Sequence, residues 1–270
     1  MKLFDLRKNL KSEFESMDID AVDADFIISE VLDQPVTVLP LIDDVDDDTV
    51  QKILKYAEMR KQHIPVNKIF KHTCFYGLDF KINNSVLAPR QDSELLVETV
   101  LKYIRNNNYK TALDLCTGSG CLAISIKKNC DIDMLATDIS QRALNVAEAN
   151  AEKHKVDVKF LLSDMFEEVE GIFDVIVSNP PYIATDDIDD LDEEVKKCDP
   201  RLALDGGALG LDYYNIIHDN LRKYLNDDGV LIMEIGEDQC FMIESLFNDF
   251  ELLEVLEDYN GIERVMVFKK

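Results

Sequence analysis

From residue 110 to the C-terminus, short apolar runs alternate with longer amphipathic ones. The short runs are TALDLC, MLATD, VKFLLSD, FDVIVSNP, GVLIMEI, FELLEVLE and ERVMVFKK, seven in all. Several are apolar without interruption, the mark of strands covered on both faces. Between them CLAISIKK, QRALNVAEANAEKH, DYYNIIHDNLRKYL and QCFMIESLFN carry apolar residues at helical spacing. This alternation predicts an α/β fold whose seven-stranded, mostly parallel sheet lies between helices. No helical run separates the last two strands, so an antiparallel edge is expected there.

The first sixty or so residues read differently. Leu3, Leu6, Leu10 and Phe14 recur at helical spacing, and Ala21, Ala24, Ile27, Ile28, Val31 and Leu32 do so again. Asp20 or Ser16 is expected to cap between them, and Asp48 to cap a third helix carrying Val50, Ile53, Leu54 and Ala57. After Pro65 the pattern changes: CFYGLDFKI alternates like a strand, and Gly77 with Asn83-Asn84 supplies turns, which predicts a hairpin. An extended X-Pro segment follows, then a helix that Asp92 or Ser93 would cap. The expected organisation is a small helical domain over 1–64, a hairpin linker over 65–90 and the sheet domain over 91–270.

Charge narrows the partners. Asp and Glu number 54 against 29 Lys and Arg, a formal charge of −25. Phosphate-binding surfaces are normally basic, so a naked nucleic acid is disfavoured as a direct partner. No run reaches the roughly 20 apolar residues of a membrane span, and MKLFDLRKNLKSEF lacks the apolar core of a secretory leader. A soluble cytoplasmic monomer is expected. The six cysteines form no CxxC pair and the four histidines no HxxxH pair, so no protein-held metal is expected.

Two regions carry chemistry. Asp114-Leu115-Cys116-Thr117-Gly118-Ser119-Gly120 ends one strand and opens a helix, where free N–H groups and a glycine turn admit a ligand closely. Asp138 ends the next strand, where a carboxylate can accept from both hydroxyls of a ribose. Asp164 and Met165 follow the third, where the acid can accept from an adenine amino group. Singly, each acid reads equally as a turn or cap residue; three on successive strand ends point to one rim, where open α/β sheets bind ligands. The spacing would also suit a nicotinamide dinucleotide, but the turn is GSG after an in-strand acid, not GxGxxG.

The second region is Asn179-Pro180-Pro181-Tyr182, directly after the fourth strand. Two prolines stop the strand and remove two N–H donors, leaving backbone carbonyls free to accept from something else. The Asn179 and Pro180 carbonyls can each accept one hydrogen of a planar –NH2, while the Tyr182 ring packs on its plane. An amide nitrogen is a poor nucleophile, so such a grip would act by alignment and by carbonyl dipoles facing the charge that grows on nitrogen.

In these motifs the chain resembles the class I, Rossmann-like methyltransferases, and within them the release factor glutamine methyltransferase family. PVNKIF, FYGLDF, the PRQDSE segment, DLCTGSG, Asp138, SDMF, NPPYI and DPRLALDGG…GLDYY follow the family order over nearly the full length. NPPY alone is shared with adenine and guanine amino methyltransferases, the alternative function; PRQDSE and DPRLALDGG are far more specific. The resemblance implies S-adenosylmethionine as cofactor, held by Asp114, Cys116, Thr117, Gly118, Ser119, Gly120, Asp138, Asp164, Met165 and Asn179. It implies the glutamine of the Gly-Gly-Gln loop of peptide chain release factors as acceptor, with Asn179, Pro180, Pro181 and Tyr182 gripping it. Arg90 and Glu94 are expected at the mouth, and the helical N-terminal domain is expected to dock the release factor. Cys116 stands where the family usually has glycine, Ser93 replaces a threonine, Asp199 replaces a glutamate, and Met165 takes an aromatic position. A silent adapter is disfavoured, because both halves of the chemistry are present.

Overall fold

The computed structural model describes residues 1–270 and divides into two units. The first comprises Met1–Lys71 together with Asp192–Cys198. Its helices are α1 (Leu3–Glu15), α2 (Val22–Leu32), α3 (Asp47–Lys61) and α4 (Val66–Phe70). Leu3, Leu6, Leu10 and Phe14 of α1 are buried against Ile27 and Ile28 of α2 and Ile53 and Ala57 of α3, in one apolar cluster. Burying a side chain of that size contributes about 1.5–3 kcal/mol.

The caps differ from the sequence expectation. Asp46, not Asp48, caps α3: its backbone is extended and its carboxylate accepts from the Thr49 N–H at 2.8 Å. Asp48 lies already inside the first turn, where its charge suits the helix dipole. Asp20 accepts from the Val22 N–H ahead of α2, whereas Ser16 ends α1 by donating to the Glu13 carbonyl.

The unit boundary also falls later than expected, after Lys71 rather than at 64. Phe70 at the end of α4 packs its ring on Tyr56 of α3, with centroids 4.7 Å apart, which ties α4 to the helices before it.

The second unit holds His72–Leu191 and Asp199–Lys270. A hairpin of β1 (His72–Phe75) and β2 (Leu78–Lys81) opens it, turning at Tyr76 and Gly77, both with positive φ. That is the hairpin turn whose twist matches the flanking strands. Then come α5 (Glu94–Asn107), β3 (Thr111–Leu115), α6 (Cys121–Asn129), β4 (Asp133–Asp138), α7 (Gln141–His154), β5 (Lys159–Leu162) and β6 (Phe173–Ser178). The short helix α8 (Glu193–Cys198) counts with the first unit. The chain finishes with α9 (Asp212–Tyr224), β7 (Leu225–Glu234), α10 (Cys240–Leu246), β8 (Glu251–Glu257) and β9 (Glu263–Lys269).

Seven strands form one sheet in the order β5-β4-β3-β6-β7-β9-β8. The first five pair in parallel, and β9 runs antiparallel to both β7 and β8. The expected antiparallel edge is present, with the last strand inserted inside its predecessor. Separate apolar clusters cover the two faces: Val97, Ile124 and Val175 lie in one, Ile176, Ile217 and Phe247 in the other. Strand order reverses beside β3, so the carboxyl ends of β3, β4 and β6 share one rim.

Within α8, Glu194 meets Arg60 of α3. Arg60, only 6% exposed, also bonds Asp23 at 2.6 Å. Two carboxylates on one buried guanidinium compensate its charge, and one of them, Glu194, comes from the 192–198 segment that groups with the first unit.

Candidate functional site at the carboxyl ends of the strands

A cavity of about 290 Å³ opens at the rim. It is near the small end of ligand-sized cavities, roughly 300 Å³. Four strand ends, those of β3, β4, β5 and β6, contribute to its wall.

After β3 the chain makes a tight turn in which Cys116, Gly118 and Gly120 all have positive φ. Gly120 has no room for a side chain, since an added Cβ would stand 2.9 Å from Ile124 and 3.0 Å from Ala147. Below the turn, Asp114 is fully buried and accepts from the Thr117 hydroxyl at 2.6 Å; its other oxygen meets no donor. Burial pushes the Asp114 carboxyl up to about 7. Thr117, Gly118, Ser119 and Cys116 line the cavity, whereas Asp114 and Gly120 support the turn without lining it. Burial also lifts the Cys116 thiol far above its ordinary range, and its sulfur rests 3.6 Å from that of Met165.

Asp138, at the end of β4, accepts from the N–H groups of Gly118 and Ser140 at 2.9 and 2.8 Å. A carboxylate offers about four lone-pair directions, so two remain for hydroxyls in the cavity. Asp164 and Met165, just beyond β5, line the next stretch of wall, with Met165 itself at positive φ.

The proline turn follows β6, and Asn179 and Pro181 line the cavity. No protein donor reaches the Pro180 carbonyl. Pro180 and Tyr182 are outside the lining; the Tyr182 hydroxyl reaches Glu234 Oε1 at 3.4 Å. The ring of Tyr182 therefore braces the turn from the β7 side and is not the cavity face that the sequence suggested. The backbone is held from outside as well. Ile183 bridges to Asp205, and Gln239 donates to the Tyr182 carbonyl at 2.9 Å. Gly206 passes so close that an added Cβ would stand 2.8 Å from the Pro181 carbonyl oxygen. Closeness of that order is what the first glycine of DPRLALDGG provides; the second, Gly207, instead leaves room for the Asp212 carboxylate.

Of the expected mouth residues, Arg90 lines the cavity and pairs with Asp199 at 3.0 Å. Glu94 does not line it: its carboxylate accepts from the Tyr76 N–H at 2.7 Å and so fixes the hairpin turn.

Sequence reasoning missed three residues. Ser93 occupies the cap position of α5, yet its hydroxyl makes no cap bond; it donates to Glu234 Oε2 at 2.5 Å. Glu234 ends the apolar run of β7, and a charged residue closing GVLIMEI was the available signal. Asn150 is wholly buried in α7 and joins Ser119 of the turn to Lys81 of the hairpin. Nothing in QRALNVAEANAEKH distinguishes it from a surface asparagine.

Fold and site together define a Rossmann-like methyltransferase domain. Residues 90–211 match the family model of the methyltransferase small domain. The ribosomal protein L11 methylase of Lactobacillus delbrueckii subsp. bulgaricus has the same fold, with TM-score 0.51 at 23% identity over 67% of this chain and 81% of that one. The chain belongs to the release factor glutamine methyltransferase family. It is 37% identical to the Clostridium acetobutylicum release factor glutamine methyltransferase, over 83% of this chain and 81% of that one. It is 36% identical to the Agrobacterium fabrum member, over 92% of this chain and 90% of that one.

Proposed function

We propose that the protein transfers a methyl group from S-adenosylmethionine to the side-chain nitrogen N5 of the glutamine in the Gly-Gly-Gln loop of peptide chain release factors. The observation that carries this reading is the shared rim. Asn179 and the unengaged Pro180 carbonyl stand at the end of β6, on the same edge as the turn after β3 and Asp138 after β4.

The residues present suit the cofactor. Spare Asp138 lone pairs fit ribose hydroxyls, Asp164 fits an adenine amino group, and the glycine turn lets a charged amino-acid tail approach backbone. When bound, S-adenosylmethionine supplies an electrophilic methyl on a sulfonium. Asn179 and Pro180 would then accept the two hydrogens of the glutamine –NH2 and fix the direction of its π density. Their carbonyl dipoles face the positive charge that grows on nitrogen. The proton becomes acidic only as the bond forms, so a strong base is not required beforehand. No histidine lines the cavity. In this reading the enzyme works in the cytoplasm on a protein partner, with Arg90 beside the entrance.

Labelled methyl donor, purified protein and release factor test the assignment. Label is expected on the glutamine, and a Gly-Gly-Ala factor is expected to take none. Asn179→Ala should slow transfer by about 100-fold or more, the usual scale for removing one aimed dipole. Label on nucleic acid with none on the factor would instead favour an exocyclic-amine methyltransferase.

A further inference from the structure

The grip on an –NH2 group works only if Asn179 turns its oxygen, not its nitrogen, into the cavity. A carboxamide is nearly symmetric in shape, so packing alone does not choose between the two orientations; hydrogen-bond polarity must. In the structure Asn179 Nδ2 donates to Ser93 Oγ at 3.1 Å, and the Ser93 hydroxyl donates in turn to Glu234 Oε2 at 2.5 Å. Glu234 is 3% exposed and stands outside the cavity lining, whereas Ser93, also 3% exposed, reaches the cavity wall beside Asn179.

We infer that Glu234 is a positioning residue for the reaction: acting through Ser93, it fixes the polarity of the chain and so presents Asn179 Oδ1 to the acceptor amide. An ionised carboxylate can only accept. Ser93 must therefore donate to it, which leaves the serine lone pair to accept from the Asn179 –NH2 and commits the carboxamide oxygen to the cavity. The inference rests on the methyl-transfer reading above.

The groups facing Glu234 come from five elements. Ser93 stands at the start of α5, Asn179 and Tyr182 on the proline turn, Arg264 on β9 and Cys121 on α6, while Tyr214 of α9 donates to its main-chain carbonyl at 2.9 Å. Burial outweighs Arg264 and the hydrogen-bond donors and pushes the carboxyl up to about 7. Once protonated, Glu234 can itself donate to Ser93, whose hydroxyl is then free to donate to Asn179 Oδ1 and reverse the amide.

Methylation of release factor by Glu234→Gln, Ser93→Ala and Ser93→Thr, with the Asn179 side-chain amide followed by NMR in the substrate-free protein, tests the relay. A glutamine at 234 offers an N–H where only an acceptor stood, so kcat should fall by about 100-fold, the scale of a misaligned reacting group. In Glu234→Gln, S-adenosylmethionine affinity should hold within about twofold, since Glu234 stands outside the cavity lining and the Asp138 contacts are untouched. The kcat of Ser93→Ala should fall likewise, and Ser93→Thr, which keeps the hydroxyl, should recover most of the loss. The parent kcat should also decline on acidification through about pH 7, in a step that Glu234→Gln lacks. The Asn179 –NH2 signals should move in Glu234→Gln and Ser93→Ala. Unmoved signals would overturn the relay whatever the activity, and so would parent kcat in both variants. A parent enzyme that labels no release factor would sink the methyl-transfer reading, and the NMR signals would still judge the relay.

Discussion

The Asp138 carboxylate accepts from the Gly118 N–H at 2.9 Å, so the end of β4 holds the glycine turn that follows β3. Its second oxygen holds Ser140 at 2.8 Å and starts the turn into α7. One side chain thus shapes two walls of the cavity before any ligand arrives.

Asp138→Asn should expose that arrangement. The amide keeps one acceptor, but its –NH2 must face either the Gly118 or the Ser140 N–H, donor against donor. Hydrogen bonds to charged groups are worth roughly 1.5–3 kcal/mol, so S-adenosylmethionine affinity should drop about tenfold or more by calorimetry. Parent affinity in the variant would remove Asp138 from the cofactor contacts.

Asp114 makes the stability of the fold depend on pH in an unusual direction. Its folded-state carboxyl is raised to about 7 by burial, while an unfolded aspartate titrates near 4. Between those values the unfolded chain loses its proton first, so the contribution of Asp114 to stability is complete below about 4 and is lost as pH rises through about 7. Asp114→Asn keeps an acceptor for Thr117 and carries no charge. Its thermal midpoint should therefore fall less than the parent's between pH 5 and pH 8; parallel curves would contradict this account.

Gly210 has φ +68°, and an added Cβ would overlap the Tyr182 carbonyl oxygen, the same atom that Gln239 Nε2 holds. Gly210→Ala combines a left-handed backbone penalty of about 1–2 kcal/mol with overpacking of about 1–3 kcal/mol. Urea unfolding should show a loss of about 2–5 kcal/mol. The methyl-transfer rate should fall as well, because relief of the clash shifts residues 179–182. A stable variant with full activity would mean the loop yields elsewhere.

All seven sheet strands were legible: the central ones, β3, β6 and β7, leave largely apolar runs because both their faces are buried, and the helices between strands leave a period that strands cannot imitate. Asn179 and Asp138 were legible too, as polar residues placed at strand ends. What escaped were polar residues whose partners are remote in the chain. Ser93 sits where serine normally caps a helix, and its actual partner is 141 positions away. Asn150 looks like any polar residue of an amphipathic helix until Lys81 and Ser119 are brought against it. The Asp48 cap failed more locally: in DDVDDDTV several acids compete, and backbone geometry settled on Asp46.

The pairing of Arg60 with Glu194 means that the N-terminal unit is not a contiguous stretch of the gene product. A fragment ending near Lys71 would carry the guanidinium in its interior with Asp23 alone as counter-charge, lacking the second carboxylate that the intact chain supplies from beyond the proline turn. Dissecting this enzyme into modules by cutting once therefore yields a helical piece with a charge defect, and a partner piece left with a short helix, Glu193–Cys198, that belongs to the other module.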